Sequence, residues 1–218
     1  MDEVSEYQKI ESLYFFDTTT QKYKKEFLNK IVEYLKDLPW IGTEKIDGAN
    51  TRIVWNGFNF SILGRENKSQ VPEEVKKIFN EKFIERDDME VAFEQMFGKK
   101  QVILFVEAHG GKIQKGAYNC DTSIIGFDIM VGGKYLSKFV ASEIFVKLGI
   151  DFVPIINFDN LQSAIDFVKT HENSIKYPDC KMEGLVCVPK CEIYDYSGKR
   201  IAVKIKNSML KKLEECHG

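Results

Sequence analysis

Little in this sequence is extreme, and each shortage excludes something. Proline is scarce, five in 218 residues, and no Pro/Gly/Ser-rich linker, repeat or low-complexity tract interrupts the chain, so one domain is expected. No apolar run approaches the roughly 18 residues of a membrane helix, so no membrane partner is expected. Neither sign of charge dominates: 31 basic side chains stand against 33 acidic ones, for a net charge of -2. Bulk charge therefore does not point to a polyanion, although a local basic groove would be hidden by it. Cysteine is sparse and odd in number, five, with no CxxC pair. Cys180, Cys187 and Cys191 are loosely grouped but lack the knuckle spacing of about 2–4 residues that structural zinc uses. Reduced thiols in the cytoplasm or another reducing intracellular compartment are the expectation. The N-terminus, MDEVSEYQKI, is acidic and polar, unlike a signal peptide.

What is present reads as an α+β chain. Residues 21–37 put Phe27, Ile31, Tyr34 and Leu35 on one helical face with lysines opposite, and Pro39 stops that predicted helix. Residues 40–47 are extended and lead into a turn at Gly48. In 51–63, TRIVW and FNFSIL flank Asn56-Gly57, which predicts a hairpin with a type I′ turn. Pro72 opens a helical pattern over 73–97 with breaks near 86–88. Strands are predicted at 101–108, 123–131, 152–157, 184–188 and 200–205. Helices are predicted at 137–148, capped by Ser137 and stopped by Gly149, at 160–170 and at 207–215. Mixed, mainly antiparallel sheets with flanking helices follow from this order.

Several charged residues interrupt otherwise apolar runs. Lys45-Ile46-Asp47-Gly48-Ala49-Asn50 delivers a lysine to a turn, behind Glu44. Glu107 sits in LFVEAHGG, Asp128 after Phe127 in IIGFDIMV, Glu183 before Gly184-Leu185, and Lys204 and Lys206 in IAVKIK. Charged groups are seldom buried unpaired. Lys204 and Lys206 are two apart in a strand pattern, so they share one face, with Ile201, Val203 and Ile205 on the other. The GGK strings at 110–112 and 132–134 lack the GxxxxGK(S/T) frame of a phosphate loop and read as turns.

The ordered set is far more specific than its members. KxDGxN at Lys45, then Arg65, Glu107, Phe127-Asp128, Glu183-Gly184 and Lys204-x-Lys206 resembles the motif order of the covalent nucleotidyltransferases, the superfamily of DNA ligases, RNA ligases and mRNA capping enzymes. Within it the chain resembles the ATP-dependent RNA ligase branch of phage double-strand-RNA ligases and RNA-editing ligases. Asn50 completes that branch's first motif, Arg65 follows at its usual distance, and EAHGGKIQKGAYN is similar to its segment around the strand-end glutamate, with Gln114 and Lys115-Gly116. Many members carry His where Asp47 stands, which leans toward DNA ligases. The sequence ends a few residues after Lys206, where better-known relatives continue into a further domain.

The resemblance implies a single nucleotidyltransferase (ATP-grasp-like ligase) domain over 1–218 with no OB-fold, and ATP with magnesium or manganese as cofactors. It implies RNA, as nicked duplex or free ends, as partner, with DNA as the alternative and an accessory protein in place of a missing domain. It makes Lys45 the nucleophile that carries AMP, and Lys204, Lys206 and Glu183 its catalytic partners. Glu44, Asn50, Arg65, Glu107 and Phe127 join Lys45, Lys204 and Lys206 in holding the nucleotide: Glu107 and Arg65 at the ribose, Phe127 on adenine. Glu183, Glu107 and Asp128 are the candidate metal ligands, and Asp47 and Gly48 support the turn. The chemistry suits these types, since free lysine with a pKa near ~10.4 must lose a proton to attack phosphorus. Burial and neighbouring cations favour that loss. A basic path for nucleic acid is expected among Lys22, Lys24, Lys25 and Lys30, Lys112 and Lys115, and Lys211-Lys212. The rival readings are a minimal DNA ligase, a nucleotide-binding module that seals only with a partner, and a GTP-using capping enzyme.

Overall fold

The computed structural model describes residues 4–115 and 117–215. Gly116 and the side chain of Lys115, both in the segment after Glu107, lie outside the described residues. In chain order the strands are β1 (Glu11–Ser12), β2 (Tyr14–Asp17), β3 (Lys22–Phe27), β4 (Trp40–Glu44), β5 (Ala49–Trp55), β6 (Phe60–Gly64), β7 (Val102–His109), β8 (Ser123–Val131), β9 (Lys134–Tyr135), β10 (Ile155–Phe158), β11 (Gly184–Pro189) and β12 (Val203–Lys206). The α-helices are α1 (Lys30–Leu35), α2 (Glu73–Phe79), α3 (Asp87–Phe97), α4 (Lys138–Lys147), α5 (Leu161–Thr170) and α6 (Asn207–Glu215). The fold is α+β, as the segment order predicts. The chain folds into two compact units, the first from Met1–Tyr7 and Asp47–Val153, the second from Gln8–Ile46 and Pro154–Gly218.

The first unit is built on the sheet β6-β5-β7-β8-β9, antiparallel throughout. Alternation along its strands sends Ile53, Trp55, Val102, Leu104, Val106 and Ile129 to one face, where α2, α3 and α4 supply Val75, Phe79, Met89, Phe93, Ala141 and Phe145. The other face carries Val54, Ile103, Phe105 and Met130, and Val4 and Tyr7 pack on it. Arg52 is buried on that face and ties the N-terminal segment down, donating to the carbonyls of Val4, Ser5 and Gly64 and to Asn67 Oδ1. Ser137 caps α4 by accepting from Val140 N–H, and Gly149 follows at φ +69°, as predicted.

The second unit is built on the sheet β1-β12-β11-β4-β10, antiparallel except for the β1–β12 pair. Its core face carries Trp40, Leu185, Cys187, Val203 and Ile205 under α5 and α6. Leu161, Ala164, Ile165 and Val168 give α5 its buried stripe, and Asn160 caps it by accepting from Ser163 N–H.

Two predictions need correction. Residues 21–37 are not one helix. Lys22–Phe27 pairs as β3 with β2, putting Tyr14 on Phe27 and Phe16 on Tyr23, and only Lys30–Leu35, capped by Asn29, is helical. Here the partner strand overrides the helical spacing of the apolar side chains. The Asn56-Gly57 hairpin exists, but its loop is four residues long. Asn56 Oδ1 accepts from the N–H groups of Phe58 and Asn59, and only Gly57 has positive φ. The two-residue turn with both φ values positive instead lies at Gly132-Gly133, between β8 and β9.

Candidate active site

The second unit gathers one set of the predicted residues. Lys45 lies just past β4 and stays in the ladder, its N–H donating to Gly184 O at 2.9 Å. Strand alternation places Thr43, Lys45, Val186, Lys204 and Lys206 on one face of the sheet, with Glu44, Leu185 and Ile205 on the core side. Glu183 immediately precedes β11, and its carbonyl accepts from Asn207 N–H. The carboxylate bridges two ammonium groups: Oε2 is 2.6 Å from Lys45 Nζ and Oε1 is 2.6 Å from Lys206 Nζ. These three side chains keep 27%, 20% and 33% of their surface, for Lys45, Glu183 and Lys206 in turn. They are screened yet reachable by a ligand.

The electrostatics follow from that crowding. Burial pushes the Glu183 carboxyl up, but the Lys45 and Lys206 ammonium groups outweigh it and hold the carboxyl below its ordinary 4.5. Burial, with Lys206, Lys45 and Lys9 as like charges, lowers the pKa of Lys204 against the pull of Glu183. Since Glu183's folded value lies below its unfolded one, its charge stabilises the fold above about pH 4.5, and that contribution is lost as pH falls through the folded value. Glu183→Gln is therefore expected to flatten the acid limb of stability below about pH 4.5, measured as urea midpoints across a pH series. An unchanged limb would remove the ion pair from the account.

Glu44 points the other way. It is 2% exposed, and its Oε2 accepts from the N–H groups of Ile175 and Lys176 at 3.1 and 2.9 Å. Its Oε1 is buried and, among the described residues, has no hydrogen-bond partner. That oxygen is an acceptor waiting for an N–H.

The first unit gathers the other set. Asn50 and Glu107 are direct cross-strand partners between β5 and β7, on the face that carries Phe105. Asn50 Oδ1 is also buried without a partner among the described residues. Gly48 lies so close to β7 that a Cβ would run into the Ala108 carbonyl oxygen and, at 2.8 Å, the Glu107 side chain. Arg65 is exposed directly after β6. A bulge in β8 makes Phe127 the extra residue, between Gly126 opposite Val106 and Asp128 opposite Phe105. Phe127 is half-buried, edge-on to Tyr7 at 5.0 Å.

Asp128 does not fit a metal role. Its carboxylate is fully buried and accepts from Lys138 Nζ and Tyr7 O–H, each at 2.9 Å. With no open face it binds α4 to the sheet, and the expectation of a ligand there is corrected. Lys138, the partner of Asp128, is a functional residue that only its place directly after the Ser137 cap signals in the sequence. Of the lysines on the predicted basic path, Lys22, Lys24 and Lys25 are exposed on β3 rather than on a helix, and Lys24 and Lys30 pair with Asp17 and Glu33. No helix among the described residues is long and apolar enough to cross a membrane.

A family model described as RNA ligase matches residues 38–206. The chain belongs to the RNA ligase family. No curated protein matches it in sequence. Among solved structures, a ligand-free variant of Naegleria gruberi RNA ligase superimposes with TM-score 0.65 at 18% identity, covering 97% of this chain and 58% of that one. A variant of the same enzyme with ATP and manganese gives 0.63 at 20% identity, over 94% and 61%. Another, with AMP and manganese, gives 0.63 at 19%, over 95% and 62%. At such identities the likeness is one of fold. The chain spans 58% to 62% of the length of these RNA ligase structures.

Proposed function

We propose that this RNA ligase family member is an ATP-dependent polynucleotide ligase that carries AMP on Lys45. The observation that carries the reading is the Lys45–Glu183–Lys206 bridge beside Lys204, on one sheet face. The three amines are donors suited to phosphate oxygens, and the carboxylate is an acceptor suited to an exchangeable proton. Lys45 Nζ, as the free amine, attacks the α-phosphorus of ATP. An N–P bond forms, the bond to pyrophosphate breaks, and the amine gives up a proton. Lys204 and Lys206 hold the α-phosphate oxygens and neutralise charge as it develops. Glu44 Oε1, buried and without a donor among the described residues, suits the amino group of adenine. By family resemblance Phe127 stacks on the base and Arg65 and Glu107 take the ribose, while Asp47, Gly48 and Asn50 shape the turn.

Among the described residues no cluster of three or more acidic, histidine or cysteine side chains is set to hold a metal ion. A magnesium or manganese ion would be held by Glu183, with Glu107 as the alternative by family resemblance, and would keep several waters. When bound, the ion withdraws charge from the phosphates. The AMP then passes to a 5′-phosphate, and a 3′-hydroxyl displaces it to seal the strand. RNA is the proposed substrate, with DNA ends and an accessory protein as alternatives, in a reducing compartment that suits an odd number of cysteines with no CxxC pair.

The test is intact-mass spectrometry after incubation with ATP and magnesium, followed by addition of a nicked duplex with a ribose or deoxyribose 3′-hydroxyl. One added AMP and faster sealing at the ribose end are expected. No adduct would overturn the reading, and equal sealing of all-DNA nicks would overturn the choice of RNA.

A further inference from the structure

The segment between β7 and β8 accounts for much of the sequence similarity around Glu107, yet the reaction as proposed uses none of its side chains. Its geometry is specific. The Tyr118 hydroxyl, in a side chain 4% exposed, accepts from the Asp47 N–H at 2.9 Å. Gln114 Nε2 donates to the Gly48 carbonyl at 2.9 Å. His109, 1% exposed, lies edge-on to the Tyr118 ring at 5.7 Å and backs it. Gln114 is held at φ 47°, ψ 44°, a left-handed conformation that a glutamine adopts at a cost. Gly48 is also pressed against Ala108 and Glu107, so the turn is gripped at an N–H, at a carbonyl and along its backbone.

We propose that Tyr118 and Gln114 are positioning residues that clamp the Asp47–Gly48 peptides, and so fix the stretch of chain that begins two residues after the nucleophile and ends at Asn50. The inference rests on the reading of Lys45 as the AMP carrier. Both contacts fall on main-chain groups, so the identity of residue 47 does not matter to them. The clamp therefore tolerates aspartate where many related ligases have histidine. A left-handed glutamine is retained because its amide reaches Gly48. Glycine would fill the same backbone without strain but could not donate.

That last contrast supplies the test. Gln114→Gly relieves the backbone and removes the donor, and Tyr118→Phe removes one hydroxyl from a ring that stays packed. Each variant and the wild type are followed by single-turnover AMP transfer across ATP concentrations, by thermal unfolding and by amide exchange at Asp47. The expected result is a maximal transfer rate lower by about tenfold or more in both variants, with the half-saturating ATP concentration within about twofold. Asp47 exchange should be faster in Tyr118→Phe, and Gln114→Gly should unfold no earlier than the wild type. Wild-type transfer rates in both variants would overturn the clamp while leaving the AMP-carrier reading intact. A wild type that takes no AMP would overturn that reading, and the clamp's catalytic role with it.

Discussion

The Lys45→Ala protein is expected to take up no AMP from ATP and magnesium, a loss of more than about a thousandfold of the kind seen when an enzyme's covalent nucleophile is removed. The argument is geometric. Lys204 and Lys206 also present amines on that sheet face, and Lys204 gives up its proton more readily than an ordinary lysine. Proton loss alone would make Lys204 a competitor. What separates the three is where they stand. Lys204 and Lys206 lie side by side on β12 opposite Val186 and Gly184, whereas Lys45 follows β4 and leads directly into the turn at Asp47 and Gly48. In the proposed reaction the two β12 lysines grip the phosphate and Lys45 attacks it. Lys45 keeps part of its surface in solvent, so its pair with Glu183 adds little to stability and the variant should remain folded. An adduct that persists in Lys45→Ala, mapped to Lys204 by peptide mass, would move the nucleophile to β12.

Asp128→Ala is expected to destabilise the protein by about 3–5 kcal/mol, because it leaves the buried Lys138 charge without its carboxylate. The two side chains are 0% and 1% exposed, for Asp128 and Lys138 in turn. Urea unfolding measures the loss. The joint change Asp128→Leu with Lys138→Met should cost far less than the single one, since removing both charges leaves no stranded ion. Equal losses in the single and joint variants would mean that the pair does not act as a unit. A loss of less than about 1 kcal/mol in Asp128→Ala would return Asp128 to the candidate metal ligands.

Asp128 also marks how far the sequence could be read. Its place after Phe127 in an apolar strand was plain, but the partner that fills its hydration shell is Lys138, ten residues on across a turn. The ring that covers it is Tyr7, from the other end of the chain. Such pairings are tertiary, and no local pattern carries them. Lys204 and Lys206 were easier, because a period of two in a strand dictates a shared face whatever the neighbours are. The same locality explains the errors. Residues 22–27 have side chains that satisfy a helix, and only the β2 partner makes them a strand. Asn56-Gly57 has the composition of a two-residue turn, yet the Asn56 side chain closes a wider loop. The resemblance implies a role for Glu44, but its orientation is set by the backbone at Ile175 and Lys176, which nothing near residue 44 announces.

The strand that leads to Lys45 is an interior strand of its sheet, flanked by β10 and β11. Both neighbours are encoded after Pro154, so on a growing polypeptide β4 emerges with two bare edges and stays so until the whole of Asp47–Val153 has been made. Naked strand edges invite association with other chains. Synthesis halted before residue 155 would therefore yield an aggregating product rather than a half-active one, and the nucleophile's neighbourhood would be among the last parts of the molecule to take shape.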